Sequence, residues 1–262
     1  MPDRIAVCTP VYGGNVHVEM MRSVLAFCRE HEGATFHTNT GSFLPAQRNG
    51  LVVDALTRGA EGILWWDAAG AASNVGALLE TAKLTGADIV GALVASKPAA
   101  CDGYGIATDD VRCSSALSPD APAAFDIMRP RYEHLRNVTG ACFMASPGET
   151  ALAATSLMLT RADVYARVEP PWFSFVERAP GQHPWPEDWH FCLRAQRAGV
   201  RVAFDTRPTT RHYGMAGWAW ASNTHPTVRS YAAEIGESLR HGESANALRL
   251  TRELAADIEQ ED

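Results

Sequence analysis

Gly62-Ile63-Leu64-Trp65-Trp66-Asp67-Ala68-Ala69 is the stretch on which the fold turns. Five apolar residues ending abruptly at an acid read as a buried strand that opens into a loop at Asp67. Upstream, 46–57 carries Leu51, Val52, Ala55 and Leu56 at helical spacing, and 34–38 is a second strand candidate. Before that, 16–29 places Met20, Met21, Val24, Leu25 and Cys28 on one helical face. The segment 5–8 is a short apolar strand ended by Thr9-Pro10. Downstream, 74–84 is a helix capped by Ser73 or Asn74 and stopped by Gly86, and 88–95 is a fourth strand. This β-α-β-α-β-α-β order predicts a mostly parallel sheet covered by helices on both faces, with ligands gathering beyond the carboxyl ends of the strands. Functional residues are therefore expected just after Cys8, Trp66 and Ala95.

Beyond 97 the pattern loosens. The region 97–136 is rich in Pro, Ala, Ser and Asp, with 125–128 the one strand candidate. Order returns at 137–145 and 155–159, and the Pro147-Gly148 turn between them suggests a hairpin. A short helix at 161–167, a Pro- and aromatic-rich loop at 170–186, a helix at 187–198 stopped by Gly199 and a strand at 201–204 follow. The segment 227–258 reads as one or two amphipathic helices, expected either to pack on the domain or to mediate a homodimer.

The 262 residues, 46% hydrophobic and 20% charged, suit one large α/β domain. A net charge of -7 argues mildly against broad contact with nucleic acid. The six cysteines form no CxxC pair, and Cys8, Cys28 and Cys192 sit in apolar stretches, which favours free buried thiols in a reducing compartment. The N-terminus lacks signal-peptide character, and no apolar run approaches the roughly 20 residues a spanning helix needs, so a cytoplasmic protein is expected.

Four constellations could carry chemistry. In Thr9-Pro10-Val11-Tyr12-Gly13-Gly14, Pro10 fixes a turn, Tyr12 offers a stacking face and the glycines allow backbone to approach a ligand; a plain strand exit fits as well. In Gln47-Arg48-Asn49, at a helix start, Arg48 suits a phosphate or a base edge, or is merely a solvated cation. Asp67, at the end of a buried strand, needs a partner: ribose hydroxyls, a metal, or an arginine such as Arg48. In Pro184-Trp185-Pro186-Glu187-Asp188-Trp189-His190, two carboxylates open a helix, where they either cap it or supply a general base beside a sugar-stacking wall of Trp185 and Trp189. Further on, His212-Tyr213-Gly214 puts a histidine at a strand end.

In this order, with Leu157-Met158-Leu159-Thr160-Arg161 between the third and fourth, these pieces resemble the GT-A glycosyltransferases, most closely the large inverting group and its phage and bacterial relatives. The resemblance covers about residues 4–214. It implies a GT-A-like domain at 1–220, with a nucleotide-sugar half at 1–96, an acceptor and catalytic half at 97–220, and a helical extension at 221–262. It implies a hexosyltransferase taking a nucleotide diphosphate sugar, by default a UDP-sugar. Thr9, Pro10, Tyr12, Arg48, Asn49, Asp67 and Lys97 would bind the donor. Asp188, with Glu187 beside it, would deprotonate the acceptor hydroxyl, and Trp185 and Trp189 would line the acceptor. Asp67 and His212 would serve Mn²⁺ or Mg²⁺.

One departure bears on that metal. The second acid of the DxD motif falls on Ala69, which weakens any divalent-cation site. A metal-independent enzyme using Arg48, Lys97 or His212 against the diphosphate, an inactive homologue and an engineered substitution all remain open. The rival classes are a degenerate sugar-nucleotide-binding protein, favoured by Ala69, and a Rossmann oxidoreductase or methyltransferase, whose GxGxxG fingerprint Pro10-Val11-Tyr12-Gly13-Gly14 does not supply. A hydrolase built on His183, His190 and His212 matches no standard ligand spacing. The acceptor stays open among polysaccharide, lipid-linked sugar, protein, small molecule and modified nucleobase in DNA.

Overall fold

A computed structural model describes residues 2–12, 15–94, 116–118, 142–144, 150–176, 186–212 and 218–220, the last stretch and a few other positions by backbone alone. The expected alternation is present. β1 (Ile5–Tyr12), α1 (Val18–Glu30), β2 (Ala34–Gly41), α2 (Leu44–Thr57) and β3 (Gly62–Trp66) lead into β4 (Gly70–Ser73), α3 (Gly76–Thr85) and β5 (Ile89–Ala92). After β6 (Ala116–Ser118), β7 (Cys142–Met144) and β8 (Thr150–Leu152) come β9 (Leu157–Arg161), α4 (Val164–Arg167), α5 (Glu187–Arg197) and β10 (Val202–Asp205). β11 (Thr209–His212) and β12 (Trp218–Trp220) complete the described elements. Gly86 and Gly199, at φ of 65° and 76°, end α3 and α5 as read from the sequence, because the left-handed turn that terminates a helix carries little penalty without a Cβ.

The main sheet runs β2-β1-β3-β9-β5-β10-β7. Parallel pairing joins β1 to β2 and β3, and β5 to β10, while β9 and β7 run against their neighbours. Strands from 1–96 and from 97–220 thus interleave in one sheet. Two expectations are corrected. The suggested hairpin across Pro147-Gly148 does not form: β7 pairs with β10, β8 with β6, and β9 with β3 and β5. The loop after Asp67 also contains an unanticipated strand, β4, which joins β11 and β12 in a small second sheet.

Alternation along each strand divides the core between the two faces. Ala6, Cys8, Ile63, Trp65 and Ile89 pack with Leu51, Val52 and Ala55 of α2 and Phe191, Cys192 and Ala195 of α5. Ile5, Val7, Leu64, Trp66 and Val90 face Met20, Val24 and Phe27 of α1 and Leu78 and Leu79 of α3. The architecture is therefore α/β, a mostly parallel sheet flanked by helices. Cys8 and Cys192 are buried free thiols, pushed far up in pKa first of all by burial, and Cys28 and Cys142 are also free. No helix among the described residues is long and apolar enough to cross a membrane. The segment 125–128 and the C-terminal extension at 221–262 lie outside the described residues.

Candidate active site

The site is built where β1, β3 and the start of β9 meet the N-terminal halves of α2 and α5. Because β9 runs antiparallel, its beginning lies at the carboxyl end of β3, with Leu157 opposite Trp66. That direction places Thr155 and Ser156 beside the functional strand end. Asp67 is fixed there twice: its backbone N–H donates to Ser156 O at 3.1 Å, and its Oδ2 accepts from Ser156 Oγ at 2.8 Å. The turn behind it is closed by Gly70 N to Asp67 O at 2.9 Å and Trp66 Nε1 to Gly70 O at 2.7 Å.

Arg48 enters from α2 almost wholly withdrawn from solvent. On that helix Arg48, Leu51, Val52 and Ala55 share the buried face, so the spacing that makes α2 amphipathic also aims the guanidinium inward. The guanidinium carbon lies 5.7 Å from the Trp65 ring and 5.8 Å from the Phe173 ring. Its Nε is 3.1 Å from Glu187 Oε1 and its Nη2 is 3.7 Å from Asp67 Oδ1. Nη1 is buried with no hydrogen-bond partner among the described residues, as are Thr9 Oγ1 and Gln47 Oε1. Unpaired buried polar atoms are costly, and Arg48 Nη1 beside the carboxylates marks a place shaped to receive a polar group of a ligand.

Asp188 stands beside Glu187 in the first turn of α5, where the helix dipole favours a carboxylate. Its Oδ2 accepts from Thr155 N at 3.1 Å and Thr155 Oγ1 at 3.2 Å, and its Oδ1 accepts from Trp189 N at 2.8 Å. Burial nevertheless raises its pKa, opposed by Arg48 and by the N–H donors and assisted by Asp67. Glu187 is likewise raised, to about 7, by burial and then by the Asp188 charge, with Arg48 pulling the other way. The main cause is burial, and the neighbouring carboxylates, which share a single guanidinium, add to it. A half-buried carboxylate held by fixed donors, and more basic than usual, can take a proton from an approaching hydroxyl.

Not every sequence candidate belongs here. Trp189 is 4% exposed and lies in the core cluster with Phe191 and Phe173, so it offers no wall to a sugar. The Asn49 amide is fully engaged, donating to Pro45 O and Phe173 O at 2.8 Å each and accepting from Phe173 N at 3.1 Å. Asn49 therefore pins 172–174 to α2 and offers a donor nothing. Pro10 is buried within β1, which runs on through Tyr12. Lys97 and Trp185 lie outside the described residues, as do the side chains of Tyr12 and His212. Thr155 and Ser156 were missed; no motif flags them, and only the antiparallel insertion of β9 brings them to the site.

Among the described residues, the surroundings of Asp67 do not fit the divalent cation implied by the GT-A resemblance. Ala69 offers no ligand, one Asp67 oxygen accepts the Ser156 hydroxyl and the other faces a guanidinium. Among the described residues no three His, Cys, Asp or Glu side chains are grouped to hold a metal ion.

No protein-family model matches the chain, and no curated protein matches it. Among solved structures it is similar to A197 from STIV, with a TM-score of 0.50 and 12% identity over 80% of this chain and 86% of that one. That likeness shows the fold. The chain is also similar to GalNAc-T7, solved with UDP, GalNAc and Mn²⁺, with a TM-score of 0.49 and 13% identity over 98% of this chain. The match spans 57% of the GalNAc-T7 chain.

Proposed function

We propose that the protein is a glycosyltransferase that moves a hexose from a nucleotide diphosphate sugar, a UDP-sugar by preference, to an acceptor hydroxyl with inversion. What supports this reading above all is the convergence of Asp67, Arg48, Glu187 and Asp188 at the carboxyl ends of β1 and β3. The GT-A resemblance of the motifs and the α/β fold are in keeping with it. In this reading Thr9, Tyr12 and Asp67 meet the nucleoside, and Arg48 Nη1 and Lys97 face the diphosphate. As the acceptor oxygen bonds to the anomeric carbon, the bond from that carbon to the diphosphate oxygen breaks. The nucleotide leaves with the electron pair, and Asp188 takes the hydroxyl proton. Glu187 orients Arg48 and shares the local charge. No step is routed through a metal. A cytoplasmic setting belongs to the same reading.

A second reading rests on Ala69: a protein that holds a sugar nucleotide without turning it over. A thermal-shift panel of UDP-, GDP-, CMP- and TDP-sugars, followed by a product assay on whichever binds, separates the two. A ligand that binds the native state raises the midpoint by mass action. Binding with product supports transfer, binding without product supports the binder, and no response to any donor removes both.

A further inference from the structure

A second set of polar groups lies towards the other end of α2, against the edge strand β2. Thr35 and His37, two residues apart, share one face of β2, and Asp54 reaches His37 from the helix. Thr35 Oγ1 lies 2.8 Å from His37 Nε2, and His37 Nδ1 lies 2.7 Å from Asp54 Oδ2. Arg58 Nε donates to the other Asp54 oxygen at 2.8 Å. Hydrogen bonds from Arg58 and then from His37 hold the Asp54 carboxyl below its ordinary range, so the carboxylate only accepts. A neutral imidazole beside it carries its proton on Nδ1 and donates it to Asp54. The lone pair is then on Nε2, and the Thr35 hydroxyl donates to it. That is the polarity a general base needs to take the proton of a hydroxyl nucleophile.

Access follows the same order. The His37 side chain is 8% exposed, whereas Thr35 is open to solvent. All three groups line one cavity of about 570 Å³, which Phe36, Ala55, Arg4 and Arg58 also border. Arg4 immediately precedes β1, so this cavity reaches the amino ends of strands whose carboxyl ends carry the Asp67 site. Its volume suits a small molecule. A phosphate ester requires several cations around its oxygens, yet Arg4 is taken up by Glu61 through Nε and Nη2 at 3.3 and 3.2 Å. A carboxylic ester develops a single oxyanion, for which one guanidinium, that of Arg58, is enough.

We propose that Thr35, His37 and Asp54 form a second catalytic site, one that hydrolyses small carboxylic esters. Thr35 Oγ1 bonds to the carbonyl carbon as its proton passes to His37 Nε2. The bond from that carbon to the alkoxy oxygen breaks; the oxygen leaves with the electron pair and takes the proton from Nε2. Water then adds to the acyl carbon and gives its proton to Nε2. The bond to Thr35 Oγ1 breaks, Thr35 recovers the proton, and acid and alcohol have been released. Asp54 positions the ring throughout.

The full chain is assayed with p-nitrophenyl acetate and p-nitrophenyl butyrate, and separately treated with diisopropyl fluorophosphate before peptide mass spectrometry. Expected are saturable release of nitrophenol and a diisopropylphosphoryl group on Thr35, fluoride being the leaving group. Turnover should fall roughly 100-fold or more in Thr35→Val and in His37→Gln, and persist in Thr35→Ser, which keeps the hydroxyl. Asp54→Asn should lower kcat by about 100-fold with KM little changed, since the amide no longer fixes the tautomer. A purely structural tie between β2 and α2 would instead move the unfolding midpoint and leave the rate alone. Thr35→Val should unfold at the parent midpoint, because the side chain is exposed. Turnover no faster than that of free imidazole, labelling of a residue other than Thr35, or undiminished turnover in Thr35→Val overturns the inference.

Discussion

Arg48 Nε lies 3.1 Å from Glu187 Oε1, with each side chain at most 6% exposed. This contact joins the second turn of α2 to the first turn of α5 across the mouth of β3, and Asp67 closes it from the strand side. A buried ion pair is weak evidence of net stability, but breaking one partner out of it is strongly destabilising. Arg48→Met should therefore lower stability by about 3–5 kcal/mol, read by urea denaturation, because the buried Glu187 loses its counter-charge. Arg48→Met combined with Glu187→Gln should recover a substantial part of that loss. Equal instability of the single and double variants would deny the pair its role.

Protonation of Glu187 should be visible in stability. Its native pKa of about 7 stands above its ordinary 4.5, so the folded state binds the proton more tightly than the unfolded chain does. The stabilisation is fully present below pH 4.5 and is lost as pH rises through about 7. The raised Asp188 acts in the same direction. Thermal midpoints of the parent, with this contribution taken as the difference from Glu187→Gln, should fall between those two values. A difference that is flat or rises over the window contradicts the assignment.

Asn49 separates a structural role from donor binding. Asn49→Ala removes three hydrogen bonds, two of which hold the Phe173 backbone to α2, and should cost about 1–3 kcal/mol in denaturation. Donor affinity measured by calorimetry should change less than about threefold, well under the factor of ten that 1.4 kcal/mol represents. A large affinity loss with intact stability would return Asn49 to the donor site.

Chelation tests the donor set around Asp67. With Ala69 in the second DxD position, removal of divalent cations should leave nucleotide-sugar affinity within about twofold, since no second carboxylate is there to hold the ion. A drop of about tenfold or more on adding a chelator, reversed by Mn²⁺, would mean that ligands other than those at the Asp67 turn complete a metal site.

The limits of the sequence follow the same physics. β3 could be read to its observed bounds because five buried residues followed by an acid admit few alternatives. The ends of α3 and α5 could be read because Gly86 and Gly199 meet a local backbone need. The chain order of Arg48, Asp67 and Asp188 was enough to suggest one cleft. Pairing between distant segments was not legible: Leu157–Arg161 inserts between β3 and β5 through contacts that no local pattern encodes. With it went Thr155 and Ser156, the residues that hold Asp188 and Asp67. β4 was missed because Gly-Ala-Ala-Ser has little strand character and forms only against β11. Trp189 misled because an aromatic beside acids suggests a sugar wall, yet on α5 it falls on the face shared with Cys192 and Ala195, which packs into the core.

The most direct test of a general base at Asp188 is Asp188→Asn, assayed for sugar transfer beside calorimetric donor binding. Expected is a fall in turnover of roughly 100- to 10,000-fold with donor affinity preserved, since the amide keeps the shape of the carboxylate but cannot take the acceptor proton. Near-normal turnover with intact donor binding would contradict it.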